Sequence, residues 1–198
     1  MQNELNKVRF SVKPLKSNDN KVVELARTVG IHPLAYQELP YDPEYSFYAG
    51  RLNPEVLSHA TADEMYWKVR QEVIFRHTGE HPYEISGPDA EKLLQKIFTR
   101  DISKVKVGRC SYQFACYNDG GMLTDGVLLR LEENKFWFVQ ADGDLFSWYK
   151  AHTDNLNVKI SDPDVWVSQI QGPKSMDLLK VLSKETFPDN WKYFDWKE

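Results

Sequence analysis

Apolar residues recur along the middle of this chain with two different periods, and each change of period marks an element. Met65, Val69 and Val73 fall four residues apart, the spacing of one helix face, behind Thr61 as a cap and Glu64 at the capping-box position. The stretch PDAEKLLQKIFT predicts a second helix, with Leu93, Leu94, Ile97 and Phe98 as its buried stripe and Pro88 near its first turn. Three strands follow, CSYQFACY, MLTDGVLLRL and KFWFVQA, and their links NDGG and EEN are short enough for antiparallel hairpins. GDLFSWYKAHTDN predicts a helix with Leu145, Trp148 and Tyr149 on one side, NVKISDPDVWVSQIQG a strand with a proline interruption, and PKSMDLLKVLSK a last helix. With PYEISG as a short first strand, the order from Tyr83 is β-α-β-β-β-α-β-α. This is an α+β arrangement, an antiparallel-rich sheet with helices on one face, related to the split βαβ unit.

The flanks read differently. Residues 1–24 form a polar N-terminal arm, poor in aromatics. Residues 25–82 hold an aromatic and proline-rich segment and the first helix, expected to pack on the core; Pro33, Pro40, Pro43 and Pro54 exclude a long helix before it. So many aromatics argue for an irregular, packed segment and against a disordered tail. Residues 83–160 carry the sheet-and-helix unit, and 161–198 begin a second, incomplete subdomain.

One residue breaks the strand pattern. In NDGGMLTDGVLLRL, Leu123, Asp125, Val127, Leu129 and Leu131 share one parity, so a carboxylate stands in an apolar face. If the hairpin closes on Asp119-Gly120, Cys116 pairs with Leu123, Phe114 with Asp125 and Tyr112 with Val127; a bulge at the second glycine would shift that register by one. Gly126 leaves the opposite face open to a ligand or to backbone. Parity alone leaves two readings for Asp125: satisfied structurally, or facing a polar ligand atom.

Composition narrows the rest. A net charge of −4 with scattered Lys and Arg gives no footprint for nucleic acid. Cys110 and Cys116 on one strand would lie about 20 Å apart at ~3.3 Å per residue, too far for a disulfide, and free thiols suit a reducing cytosol. Cys110 reads as a small core residue in place of a nucleophile. No apolar run is long enough to span a membrane and no signal peptide is visible, so the expected location is cytoplasmic. His77 and His81 have i, i+4 spacing, but Pro82 and a strand follow directly, so a helical metal pair is not expected. Trp166 and Trp191 read as packing residues.

GPDAEKLLQKIFTRDISKVKVGRCSYQFACYNDGGMLTDGVLLRL, with the later SQIQGPKSMDLL, resembles the glycine-cleavage T-protein (aminomethyltransferase) family over roughly residues 60–182. The matching positions are Gly87 to Ala90, Thr99, Asp101, Ser103, Gly108, Tyr112, Gly120, Gly121, Asp125 and Gln169 to Ser175. RDISKVKVGRCSY and FWFVQADGD look more like the tetrahydrofolate-dependent demethylases of that family, such as dimethylsulfoniopropionate demethylase. FRHTGEHPYEISG departs from the T-protein pattern FDVSHMGE: Arg76 replaces an acid and Gly79 a histidine. The resemblance therefore implies a substrate other than a lipoyl-bound aminomethyl group.

What it implies for the site is specific. The fold would be the folate-binding T-protein fold lacking its C-terminal part, with 83–160 as a ferredoxin-like folate-binding subdomain. Tetrahydrofolate would be the cofactor, Asp125 the catalytic carboxylate beside the folate nitrogen that accepts the one-carbon unit, and Tyr112 a wall of the folate site. Asp142 and Asp144 fall where the family places cofactor-side polar groups, although both flank a helix start and helix capping explains them equally well. The implied reaction moves a one-carbon unit from a small methylated donor to folate. Alternatives are a non-catalytic folate-binding or assembly module, which lacks support because the KGCYxGQE-type motif is absent, and a truncated inactive paralogue. The family's downstream RTGYTGE-type segment is not found before KYFDWKE, and Trp191, Tyr193, Phe194 and Trp196 suggest a surface for a missing C-terminal half or a partner chain. Neither nucleic acid nor membrane is an expected partner.

Overall fold

A five-stranded sheet organises the chain, whose computed structural model describes residues 29–184, 186–187 and 191–197. The polar arm expected at 1–24 lies outside the described residues. The sheet order is β5 (Cys110–Cys116), β6 (Met122–Glu132), β7 (Lys135–Gln140), β4 (His81–Ser86) and β8 (Lys159–Ser161), every pair antiparallel. Leaving β5 aside, β4 and β6 run in one direction with β7 between them, which is the split βαβ arrangement the element order implied. Helices α2 (Ala90–Ile97) and α3 (Leu145–Ala151) lie on one face. Their Leu93, Leu94, Ile97, Leu145 and Tyr149 pack with Ile85, Leu128, Phe136 and Phe138 of the strands, all buried. Burial of such side chains contributes about 1.5–3 kcal/mol each, so this one face supplies the bulk of the core.

Two smaller sheets flank it. β1 (Glu44–Tyr48) and β2 (Arg51–Val56) form a hairpin, and β3 (Ile74–His77) pairs with β9 (Ser168–Gln171). The hairpin corrects the expectation of an irregular proline-rich segment. Ala49 and Gly50 both have positive φ, 49° and 81°, the turn geometry whose twist matches two antiparallel strands. Of the four prolines only Pro54 falls within a strand, in a two-stranded ladder where a missing N–H is tolerated.

A second correction concerns residues 157–172. The expected single strand is two strands in different sheets, because the chain turns at Asp162-Pro163-Asp164, where Asp164 has φ 54° and donates its N–H to Asp162 Oδ1 at 2.7 Å. Helix α1 (Ala62–Gln71) carries the expected capping box: Thr61 Oγ1 accepts from Glu64 N, and Glu64 Oε2 accepts from Thr61 N. Neither α1 nor α4 (Ser175–Leu182) buries a residue completely, and Tyr66, Trp67, Val181 and Leu182 are exposed.

Candidate functional site

The face of the five-stranded sheet turned away from α2 and α3 carries Asp125. Along β6 the helix-covered positions are Thr124, Gly126, Leu128 and Arg130, all buried, while Leu123, Asp125, Val127, Leu129 and Leu131 are half-buried on the opposite side. The apolar parity noted in the sequence is therefore real, but it is not the core side. Arg130 can occupy the core side because its guanidinium is paired with Glu91 at 2.8 Å and with the carbonyl of Val105 at 3.1 Å. Gly126 admits the neighbouring strand in place of a ligand: a Cβ there would lie 2.2 Å from the carbonyl oxygen of Val139.

Asp125 faces Phe114 directly and Tyr112 diagonally, since Phe114 pairs with Asp125 and Tyr112 with Val127. This is the register expected from a turn at Asp119-Gly120. The bulge sits closer to the turn, between Ala115 and Cys116, and moves Cys116 from Leu123 to Met122. The Tyr112 hydroxyl donates to Asp125 Oδ2, and that carboxylate holds the phenol above its ordinary pKa, with lesser contributions from desolvation and from Tyr48. The Asp125 carbonyl accepts from Ala141 N at 3.0 Å, which ties the strand to the start of the loop carrying Asp142.

Asp142 is a structural hub. Its Oδ1 accepts from Ala49 N at 2.9 Å and Gly143 N at 2.8 Å, and its carbonyl accepts from Thr124 Oγ1 at 2.7 Å. It thereby pins the β1–β2 turn against β6. Asp144 caps α3, accepting from Ser147 N at 3.1 Å and from Ser147 Oγ at 2.7 Å. Of the four residues singled out in the sequence, Tyr112 and Asp125 touch, Asp142 joins them through backbone, and Asp144 turns to its helix.

Tyr48 and Glu80 were missed. Tyr48 ends β1, and the nearby carboxylates of Glu80, Asp142 and Asp125 add to burial in raising its hydroxyl above the ordinary value. Gly79 makes this possible, because a Cβ there would lie 2.9 Å from Tyr48 Cβ and 3.2 Å from Asn53 Cβ. Both departures from the T-protein pattern thus serve the hairpin: Gly79 donates its N–H to Asn53 Oδ1 at 3.1 Å, and Arg76 reaches Asn53 Oδ1 and the Pro54 carbonyl at 3.3 Å each. Glu80 Oε1 accepts from Gln169 at 2.7 Å, and its buried Oε2 has no hydrogen-bond partner among the described residues. The one available signal for Tyr48 was the Ala49-Gly50 turn beside it; nothing in the sequence marked Glu80.

The remaining candidates have structural partners. His77 stacks on His32 with centroids 3.8 Å apart and shares a 3.0 Å contact with Ser168 Oγ, while His81 lies on β4, 2.8 Å from Asp162. Trp166 stacks under the Arg51 guanidinium at 4.1 Å. Cys110 and Cys116 are free thiols at the two ends of β5, and burial pushes the Cys110 thiol up to about 11. Among the described residues no helix is long and apolar enough to cross a membrane.

The chain belongs to the GCVT N-terminal domain family, whose profile matches residues 32–198. It is 33% identical over 147 residues to dimethylsulfoniopropionate demethylase DmdA of Ruegeria pomeroyi, covering 73% of this chain and 40% of that protein. Trimethylamine-oxide aldolase of the same organism is 33% identical over 131 residues, 64% of this chain and 17% of that one. An aminomethyltransferase of Symbiobacterium thermophilum is 31% identical over 115 residues, 54% and 30% respectively. The crystal structure of glycine cleavage system aminomethyltransferase T from Bartonella henselae has the same fold, with a TM-score of 0.68 at 18% identity over 77% of this chain and 43% of that one. The chain matches less than half the length of each of these relatives.

Proposed function

We propose that this chain takes part in tetrahydrofolate-dependent one-carbon transfer of the demethylase type, from a small methylated donor to folate, with Asp125 as the catalytic carboxylate. The observation that carries this reading is the Tyr112–Asp125 pair on a half-buried, largely apolar sheet face turned away from α2 and α3. Identity to the dimethylsulfoniopropionate demethylase over 73% of the chain supports the demethylase side of the family.

The residues present fit a folate. Phe114, Val127 and Val139 offer apolar contact for an aromatic ring system, and one carboxylate among them can meet a ring nitrogen. When bound, tetrahydrofolate supplies the nitrogen nucleophile that accepts the one-carbon unit. Asp125 would orient that nitrogen's N–H through a carboxylate oxygen and take up its proton as the nitrogen–carbon bond forms and the donor's bond to the methyl carbon breaks, the electron pair leaving on the donor heteroatom. Tyr112, donating to Oδ2, fixes the rotamer of Asp125 and leaves Oδ1 for the ligand. Tyr48, at the end of the hairpin strand, has the Asp125 carboxylate among the charges that raise its hydroxyl, which brings the hairpin to the neighbourhood of the same site. Asp142 holds Tyr48 in place by gripping the turn that follows it.

The test is transfer itself: methyl-labelled donors such as dimethylsulfoniopropionate offered with tetrahydrofolate, and label in the folate product measured. Asp125→Ala is expected to lower transfer by about 100-fold or more, the scale of a lost general acid–base group. Transfer unaffected by Asp125→Ala would remove the assignment.

A further inference from the structure

Helix α1 presents two aromatic rings to solvent. Tyr66 is 56% exposed and Trp67 50%, with their ring centroids 5.2 Å apart in an edge-to-face contact. Met65 and Val69 lie on the opposite side of the helix and are half-buried, so the rings belong to an outer face that the rest of the chain does not cover. Neither the sheet chemistry nor the hairpin above uses this face.

The charges that flank the rings are ordered. Asp63 lies one turn before Tyr66 and Trp67, and Arg70 lies one turn after them, all four within about 100° of the helix circumference. Asp63 and Arg70 are both exposed, and neither has an ion pair among the described residues. The face therefore reads acid, ring, ring, base, and its midpoint falls between Tyr66 and Trp67. At ~1.5 Å per residue each charge stands about 5 Å from that midpoint along the axis. A two-fold axis through the midpoint brings Asp63 of one copy level with Arg70 of the other, and Tyr66 of one level with Trp67 of the other.

We propose that this face of α1 is where two copies of the chain associate, as an antiparallel helix pair. The symmetry selects a second copy over an unrelated partner, because self-pairing matches an acid and a base set equally far from the centre of the rings. Exposed ion pairs add little affinity, so the rings supply the attraction and the charges fix direction and register. At about 150–250 Å² per ring, the four rings cover on the order of 600–1,000 Å². That is less than the roughly 1,200–2,000 Å² of a stable complex, so the pair is reversible and forms in the micromolar range.

Sedimentation velocity on the full chain over a concentration series tests this. The wild type is expected to pass from monomer to dimer in the micromolar range, and Trp67→Glu to need a concentration at least about tenfold higher. Val181→Glu, a control on the exposed surface of α4, should dimerise like the wild type. Arg70→Glu leaves two acids on the face and Asp63→Lys leaves two bases, so each variant alone should stay monomeric while their equimolar mixture sediments as a dimer. Thermal midpoints show whether each variant is folded; if a charge variant is not, Trp67→Glu decides. A wild type still monomeric at about 100 μM, a dimer that survives Trp67→Glu, or a mixture of folded charge variants that stays monomeric would overturn the inference.

Discussion

Tyr112 and Asp125 meet diagonally across the β5–β6 ladder, with the phenol donating to the carboxylate. Because the carboxylate disfavours the phenolate, the tyrosine proton is held more tightly in the folded chain than in the unfolded one. Its contribution to stability is thus present below about pH 10 and is lost as pH rises through the folded value. Asp125→Asn should bring the Tyr112 ionisation back toward the ordinary phenol value and flatten that alkaline loss, read by ultraviolet phenolate titration of the two proteins. An unchanged tyrosine titration in Asp125→Asn would mean that the two side chains are not coupled in solution. Tyr112→Phe should slow transfer about tenfold, the equivalent of one hydrogen bond to a carboxylate, with the fold intact.

Gly79 and Tyr48 compete for one space. Gly79→Ala should destabilise the chain by about 1–3 kcal/mol through overpacking. Combining it with Tyr48→Ala should recover part of that loss, since the atom nearest the added methyl apart from Tyr48 Cβ is Tyr48 Cδ1 at 3.0 Å. A double-mutant cycle from urea denaturation measures the coupling, and simple additivity would show that the hairpin docks elsewhere.

His32 and His77 make the junction around β3 sensitive to acid. Burial, then the charges of His77 and Arg51, lower His32 to about 4, and burial also lowers His77. The unfolded chain binds protons at these positions first, so stability should be complete above about pH 6.5 and fall as pH drops from there toward 4. Thermal midpoints measured between pH 7 and pH 5 should decline, and His32→Phe should reduce that slope. A slope identical in the two proteins would contradict the pairing.

The Thr61–Glu64 capping box closes the N-terminus of a helix with no fully buried residue, so local interactions matter more there than in α2. Thr61→Ala should cost about 1 kcal/mol and speed amide exchange in the first turn of α1, measured by hydrogen exchange. Exchange unchanged in residues 62–65 would show that packing alone holds the helix.

Much of the sheet-and-helix unit was legible because local rules and tertiary packing agree there. Leu93, Leu94, Ile97 and Phe98 have one possible burial direction, and Asp119-Gly120 sets the strand register at Asp125. Agreement broke down where period-2 alternation met a sheet apolar on both faces. Leu123, Val127, Leu129 and Leu131 look like core positions, yet the helices dock over Leu128, and charge at Arg130 is masked by Glu91 and backbone. The β1–β2 hairpin was hidden by its prolines and by an Ala-Gly turn weaker as a signal than Asn-Gly. Tyr48 and Glu80 reach the site through that hairpin and through β9, contacts distant in sequence that no motif encodes.

Whether the outer sheet face holds folate is measured most directly by calorimetric titration of the full chain with tetrahydrofolate. Saturable heat in the wild type, weakened by removing the aromatic face in Phe114→Ala and accompanied in Asp125→Ala by loss of transfer, is the expected result. No heat above background for the wild type would contradict the account.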